Sequence, residues 1–221
     1  MLYIVSTPIG NLEDLTARAK KVLGKVDYIL CEDTRVTGLM LKSLGVDLKA
    51  KMISYYDEVE EQKLPEVIKF LEEGLSLALV TDSGTPIISD PGYKLVKKCR
   101  EQNIPVAALP GPCAAINAMV LSGLPGGRFS FLGFLPKKEG ERKRVLEEYK
   151  NVGGSKIVYE SPYRIGRLIS EIRNVYGDEI KVAMCREMTK LHEEVIWGNI
   201  AQIEEVLKKR KLKGEMVVVF S

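Results

Sequence analysis

Apolar and polar positions along the first half of this chain follow two alternating periods. Short runs rich in apolar and β-branched residues, Leu2 to Ser6, Val26 to Cys31, Lys51 to Ser54, Leu77 to Thr81 and Pro105 to Leu109, have the length and make-up of strands. The stretches between them read as helices closed by Gly24, Gly45 and Gly74, since glycine readily takes the left-handed conformation that ends a helix. This β-α-β-α order predicts a mainly parallel sheet. Ala114 to Ser122 reads as a helix, and Gly123-Leu124-Pro125-Gly126-Gly127 then breaks the pattern, which puts a domain boundary around that helix. The expectation is two α/β domains, residues 1–116 and 117–221. The second half offers a strand at Phe129 to Phe134, a basic helix at Glu139 to Lys150, and strands at Lys156 to Glu160, Lys181 to Arg186 and Val195 to Trp197. A helix at Ile200 to Lys211 and a last strand at Met216 to Phe220 follow, and the whole predicts a mixed sheet with hairpins.

Each strand of the first half runs into a loop rich in polar residues, glycine or proline. These loops are Thr7-Pro8-Ile9-Gly10-Asn11, Glu32-Asp33-Thr34-Arg35, Ser54-Tyr55-Tyr56-Asp57-Glu58, Asp82 to Pro86, and Pro110-Gly111-Pro112-Cys113. In open α/β sheets the carboxyl edge of the strands is where ligands bind. Neither G-x-G-x-x-G nor G-x-x-x-x-G-K-[ST] occurs in the chain, which favours a small hydrogen-bonding ligand without a required phosphate. Asp82-Ser83-Gly84 reads either as a turn with a capping aspartate or as a ligand loop, and the second such loop at Pro110 to Cys113 tips it to the ligand. Glu32-Asp33-Thr34-Arg35 has two readings that both stand. One is a helix N-terminus capped by Asp33 or Thr34; the other makes Glu32 or Asp33 a proton acceptor and Arg35 a phosphate clamp.

The 221 residues are 45% hydrophobic and 29% charged, the profile of a globular protein, and a net charge of +3 is too mild to mark a nucleic-acid binder. Lys137, Lys138, Arg142, Lys143 and Arg144 form a local basic cluster, read as a solvated helix face or as a phosphate-contacting patch. Cys31, Cys99, Cys113 and Cys185 are scattered, and His192 is the only histidine, so no metal site is expected and the cysteines read as reduced core residues. Met1 to Val5 has strand length only, so neither a signal peptide nor a membrane span is expected, and the expected location is cytoplasmic.

Taken together, Thr7-Pro8-Ile9-Gly10-Asn11-Leu12-Glu13-Asp14, Glu32-Asp33-Thr34-Arg35, Thr81 to Pro86, Ser89-Asp90-Pro91-Gly92, Pro110 to Ala114, Glu160-Ser161-Pro162 and Lys213-Gly214-Glu215 resemble the tetrapyrrole methylase superfamily. Within it they resemble the branch that methylates the ribose 2'-hydroxyl of a cytidine in small-subunit ribosomal RNA. The resemblance implies two α/β domains with S-adenosylmethionine in a cleft between them, and a homodimer acting on ribosomal RNA in the small subunit. It carries ligand contacts to Pro8, Asp82, Gly84, Thr85, Cys113 and Ala114, with Tyr159, Arg186 and Gly214 from the second half. Asp82 is then expected to accept hydrogen bonds from the ligand, and backbone N–H groups around Gly84 and Ala114 to donate them. Glu32, Asp33 or Glu187 is expected to take the hydroxyl proton, with Arg35 and Arg186 on neighbouring phosphates. Tyr56 and Tyr163 stand where members of the family commonly carry histidine. Other acceptors within the superfamily, a tetrapyrrole or a modified protein residue, and a non-catalytic ribosome-binding role are the competing expectations.

Overall fold

A computed structural model describes residues 1–221, which divide into two compact units, Met1–Cys113 and Ala114–Ser221. The expected division after residue 116 falls within a helix, Ala114–Leu121, whose buried Ala115, Ala118 and Met119 belong with the second unit.

The first unit holds strands β1 (Leu2–Val5), β2 (Tyr28–Cys31), β3 (Lys51–Ser54), β4 (Leu77–Leu79) and β5 (Val106–Leu109), in the order β3-β2-β4-β1-β5 with every pairing parallel. Helices α1 (Ala17–Leu23), α2 (Thr34–Ser43), α3 (Asp57–Glu72) and α4 (Tyr93–Glu101) connect them. Alternation along the strands feeds two cores, one on each face. Leu2 and Ile4, Leu30, and Leu77 and Leu79 pack with Val67, Ile68 and Leu71 of α3 and with Leu95 and Cys99 of α4. Val5, Ile29 and Cys31, and Ala78 and Val80 pack with Ala19 and Leu23 of α1 and Leu41 of α2. Gly45 and Gly74 take the expected left-handed conformation, at φ +62° and +86°. Gly24 does not: at φ −79° it stays right-handed, because the turn continues through Lys25 N–H donating to the Val22 carbonyl.

The second unit's sheet is mixed, β6-β7-β10-β8-β9, built from β6 (Phe129–Phe134), β7 (Ser155–Glu160), β8 (Lys181–Arg186), β9 (Glu194–Asn199) and β10 (Met216–Phe220). Only the β6 and β7 pair is parallel. One face packs Val158, Val182, Met184, Val218 and Phe220 against α6 (Glu139–Glu148), α7 (Ile165–Tyr176) and α8 (Ile200–Lys209); α5 (Ala114–Leu121) lies on the other, where the Cys185 thiol donates to the Ala118 carbonyl. Helix α7 has no counterpart in the sequence reading, although Ile165, Leu168, Ile169, Ile172 and Val175 carry the helical spacing that would have found it. α8 starts with a capping box between Asn199 and Gln202. Arg142, expected in an exposed basic cluster, is instead buried, 1% exposed. No helix is long and apolar enough to cross a membrane.

Candidate active site

β1 and β4 are neighbours in the first sheet, but the chain leaves them toward opposite faces, β1 into α1 and β4 into α4. Diverging loops at the carboxyl ends of adjacent parallel strands open a crevice, the usual ligand position in such sheets. Here the loops around that point are sewn to one another. Thr7 and Gly84 exchange backbone hydrogen bonds, N–H of Thr7 to Gly84 at 2.8 Å and the reverse at 3.2 Å. The Thr7 hydroxyl donates to the Thr81 carbonyl at 3.0 Å. The Thr85 hydroxyl donates to the Pro112 carbonyl at 2.7 Å, so its one proton is committed and Ser6, 2.9 Å away, is the donor of their shared bond. Pro8, Gly84, Thr85 and Cys113 thus fall on three loops at one sheet edge.

The β2 loop joins from the other side. Thr81 donates its hydroxyl to Glu32 in a short bond, and Asp82 N–H donates to the same carboxylate at 3.2 Å. Asp33 N–H in turn donates to Asp82 at 3.4 Å. Asp33 caps α2 through Arg35 N–H at 2.8 Å and also receives the Arg35 guanidinium at 3.0 and 2.6 Å. Those bonds from Arg35 hold the Asp33 carboxyl down at about 2, and they occupy the guanidinium expected to clamp a phosphate. Both readings of this motif therefore meet in Asp33 as a cap and ion-pair partner, leaving Glu32 as the carboxylate that bridges loops.

The segment between Pro86 and Tyr93 is strained. Ile87 and Ser89 lie at φ +78° and +70° and Gly92 at +122°. A β-branched residue with positive φ is an outlier that persists only where its surroundings over-determine it. Buried Glu60 supplies part of that constraint, accepting from Gly92 N–H at 3.1 Å and from the Tyr55 hydroxyl at 3.4 Å. Asp90 sits inside the segment. Burial, with the Glu32 charge adding to it and contact with the Thr81 hydroxyl opposing, pushes its carboxyl up to about 6. Burial likewise raises Asp82, with Glu32 and Asp33 adding to it. Sequence assigns Asp90 no role; its motif is visible there, but its nearness to Thr81 and Glu32 is not.

The Gly84 N–H is spent on Thr7 and the Ala115 N–H on the Tyr159 hydroxyl at 3.1 Å, so a backbone donor to a ligand has to be one of their neighbours. Among side chains, the edge of the first sheet offers acceptors: exposed Asp82, with Glu32 and Asp90 beside it. Such a set suits a ligand carrying positive charge, ammonium or hydroxyl donors, and fits the absence of a phosphate-cradling motif.

In the second unit, Tyr159 and Ala114 lie close through the Tyr159–Ala115 bond, and Arg186, Glu187 and Gly214 meet where β8 ends and β10 begins. Arg186 donates to the Lys213 carbonyl at 3.1 Å and to Glu194 at 3.3 Å. Glu187 accepts from Glu215 N–H at 2.9 Å and from Lys190 at 3.2 Å, and the Glu215 bond leads in holding its carboxyl below the usual range. A side chain on Gly214 would run into the Glu187 carboxylate. Glu187 therefore braces the Gly214 turn.

Residues 1–204 match the family model described as tetrapyrrole (corrin/porphyrin) methylases, and the chain belongs to that family. Among solved structures, the fold is similar to uroporphyrin III C-methyl transferase from Thermus thermophilus, with a TM-score of 0.67 at 17% identity, covering 100% of this chain and 96% of that one. Cobalt precorrin-4 methyltransferase has a TM-score of 0.66 at 14% identity. In sequence, the chain is 48% identical over 221 residues to the ribosomal RNA small subunit methyltransferase I of Hydrogenobaculum sp. (strain Y04AAS1), covering all of this chain and 95% of that protein. The protein of the same name from Vibrio cholerae serotype O1 is 45% identical, with 99% of this chain and 76% of that one covered.

Proposed function

We propose that this protein is an S-adenosylmethionine-dependent methyltransferase that methylates the ribose 2'-hydroxyl of a cytidine in small-subunit ribosomal RNA. The observation that carries the reading is the acceptor-rich, mutually braced edge of the first sheet, in a chain whose relatives at 42–48% identity are named for ribosomal RNA methylation. S-adenosylmethionine supplies an electrophilic methyl group on a positively charged sulfur. Asp82 offers a carboxylate to the donors of that molecule, while Pro8, Gly84, Thr85 and Cys113 shape the wall against it; Ala114, Tyr159, Arg186 and Gly214 are the contacts proposed from the second unit. Attack by a hydroxyl needs alignment along the methyl–sulfur bond, so positioning supplies much of the rate.

The hydroxyl proton needs an acceptor. Asp33 is a weak base with its carboxyl near 2, and Glu187 is engaged as a brace. Glu32 and Asp90, both at the Thr81 hydroxyl, are the better pair: burial pushes the Asp90 carboxyl up to about 6, with the Glu32 charge adding to it, and a base in that range suits proton transfer near neutral pH. Homodimer formation belongs to the same proposal; Ile116, Val120 and Leu121 are exposed apolar residues of α5 for it to cover, and sedimentation velocity reads it.

The test is transfer of labelled methyl from S-adenosylmethionine to small ribosomal subunits lacking the modification, followed by nuclease digestion. Label in 2'-O-methylcytidine is the expected result. Cofactor binding without label in RNA would move the acceptor to a tetrapyrrole or a protein residue.

A further inference from the structure

The second sheet has its own loop-bearing edge. Phe134 pairs with Tyr159, and Glu160 with Met216, so the loops after β6 and β7 and the loop before β10 emerge side by side. Two aromatic rings stand out there: Tyr163, 96% exposed, and Phe134, 61% exposed. Rings this open are free to stack, and every nucleobase offers a face to them. Phe134 is held upright by an edge-to-face contact with Tyr159, whose centroid lies 5.4 Å away.

Around the rings are exposed cations with no carboxylate partner: Lys137 after β6, Arg167 in the first turn of α7, and Lys213 before β10. Of the acidic groups nearby, Glu160 is paired with Arg164 at 2.7 Å, and Glu215 and Glu187 share Lys190 at 2.7 and 3.2 Å, while exposed Glu139 just after Lys137 has no ion pair. The β6 loop is also fixed from beneath. Buried Arg142 forms a two-pronged ion pair with Glu171 and donates to the carbonyls of Pro136 and Lys137 at 3.0 and 2.9 Å. That clamp fixes the backbone from which Lys137 projects, lowering the ordering cost of binding.

We infer that this edge is a platform for single-stranded RNA, on which Tyr163 and Phe134 stack unpaired bases while Lys137, Arg167 and Lys213 contact the flanking phosphates. The inference rests on the RNA-methylation reading and extends it by naming the strand form the protein grips. Unpaired bases can be splayed onto rings, whereas a duplex keeps its bases stacked on one another.

The test measures fluorescence anisotropy of a short labelled oligocytidylate, single-stranded and annealed to its complement, over a salt titration. Wild type should prefer the single strand. Tyr163→Ala should weaken that binding roughly ten-fold or more, Tyr163→Trp should preserve it, and each of Lys137→Ala and Arg167→Ala should reduce the salt slope by about 0.7. Because Tyr163 is almost fully exposed, its loss leaves folding intact; Phe134→Ala is checked by thermal melting first. Equal binding of single strand and duplex, or Tyr163→Ala and Lys137→Ala variants that bind like wild type, would overturn the platform. Neither result touches the methyl-transfer assay, whose failure would sink the functional reading by itself.

Discussion

Gly214→Ala is the sharpest test of whether Glu187 is a brace or a reacting group. Gly214 sits at φ +88°, where a residue with a Cβ costs about 1–2 kcal/mol. The new Cβ also falls on the Glu187 carboxylate, which must swing away and give up the Glu215 N–H at 2.9 Å. A hydrogen bond to a charged acceptor contributes about 1.5–3 kcal/mol, so the total loss is about 2.5–5 kcal/mol. Glu187→Gln behaves differently. Its amide oxygen keeps accepting from Glu215 N–H, and what disappears is the charge attraction to Lys190 at 3.2 Å, worth about 1 kcal/mol or less at a partly exposed site. Urea unfolding of both variants, with titration of S-adenosylhomocysteine and turnover on small subunits, reads all three quantities. The brace predicts a large stability loss and weakened cofactor binding in Gly214→Ala, with near-normal turnover in Glu187→Gln. A collapse of turnover in Glu187→Gln with fold and cofactor affinity intact would refute the reasoning and return Glu187 to the role of base.

Removing one partner of the buried Arg142–Glu171 pair leaves a charge stranded, so Arg142→Met should cost about 3–5 kcal/mol in urea unfolding, while the double variant with Glu171→Leu should recover much of it; strict additivity would show the pair to be uncoupled. Asp90 gives a pH prediction: a carboxyl raised to about 6 in the folded protein binds its proton more tightly than in the unfolded chain, so its contribution lowers stability as pH rises from about 4 through about 6. Asp90→Asn should therefore gain stability relative to wild type across that window, and a constant difference would contradict the assignment. The Glu32–Thr81–Asp90 arrangement predicts that Glu32→Gln slows turnover with cofactor affinity little changed, and equal loss of both would remove Glu32 from proton transfer.

The two α/β halves and nearly every strand could be read from the sequence, because a strand's alternation is local and each run ends in residues that cannot continue it. β6 and β10 coincide with their expected spans, and β4 stops two residues short of the expected Thr81. The carboxyl-edge loops were legible for the same reason: Asp82 to Pro86 and Pro110 to Cys113 are dense in turn formers. Helix α7 is equally local, its apolar stripe running from Ile165 to Val175. What the tertiary structure alone decided is how those loops use their polar groups. Glu32 and Asp33 are adjacent with the same chemistry, yet one bridges to a loop 49 residues away and the other folds back on Arg35. Arg142 sits among exposed basic residues in the chain but is buried, because Glu171, 29 residues later, arrives across the helix pair. The Glu60 contact that holds Gly92, and the placing of Glu187 against Gly214, join residues 32 and 27 positions apart in the same way. Local pattern sets which backbone forms; a polar side chain's role depends on its partner, and parallel strands bring those partners from distant parts of the chain.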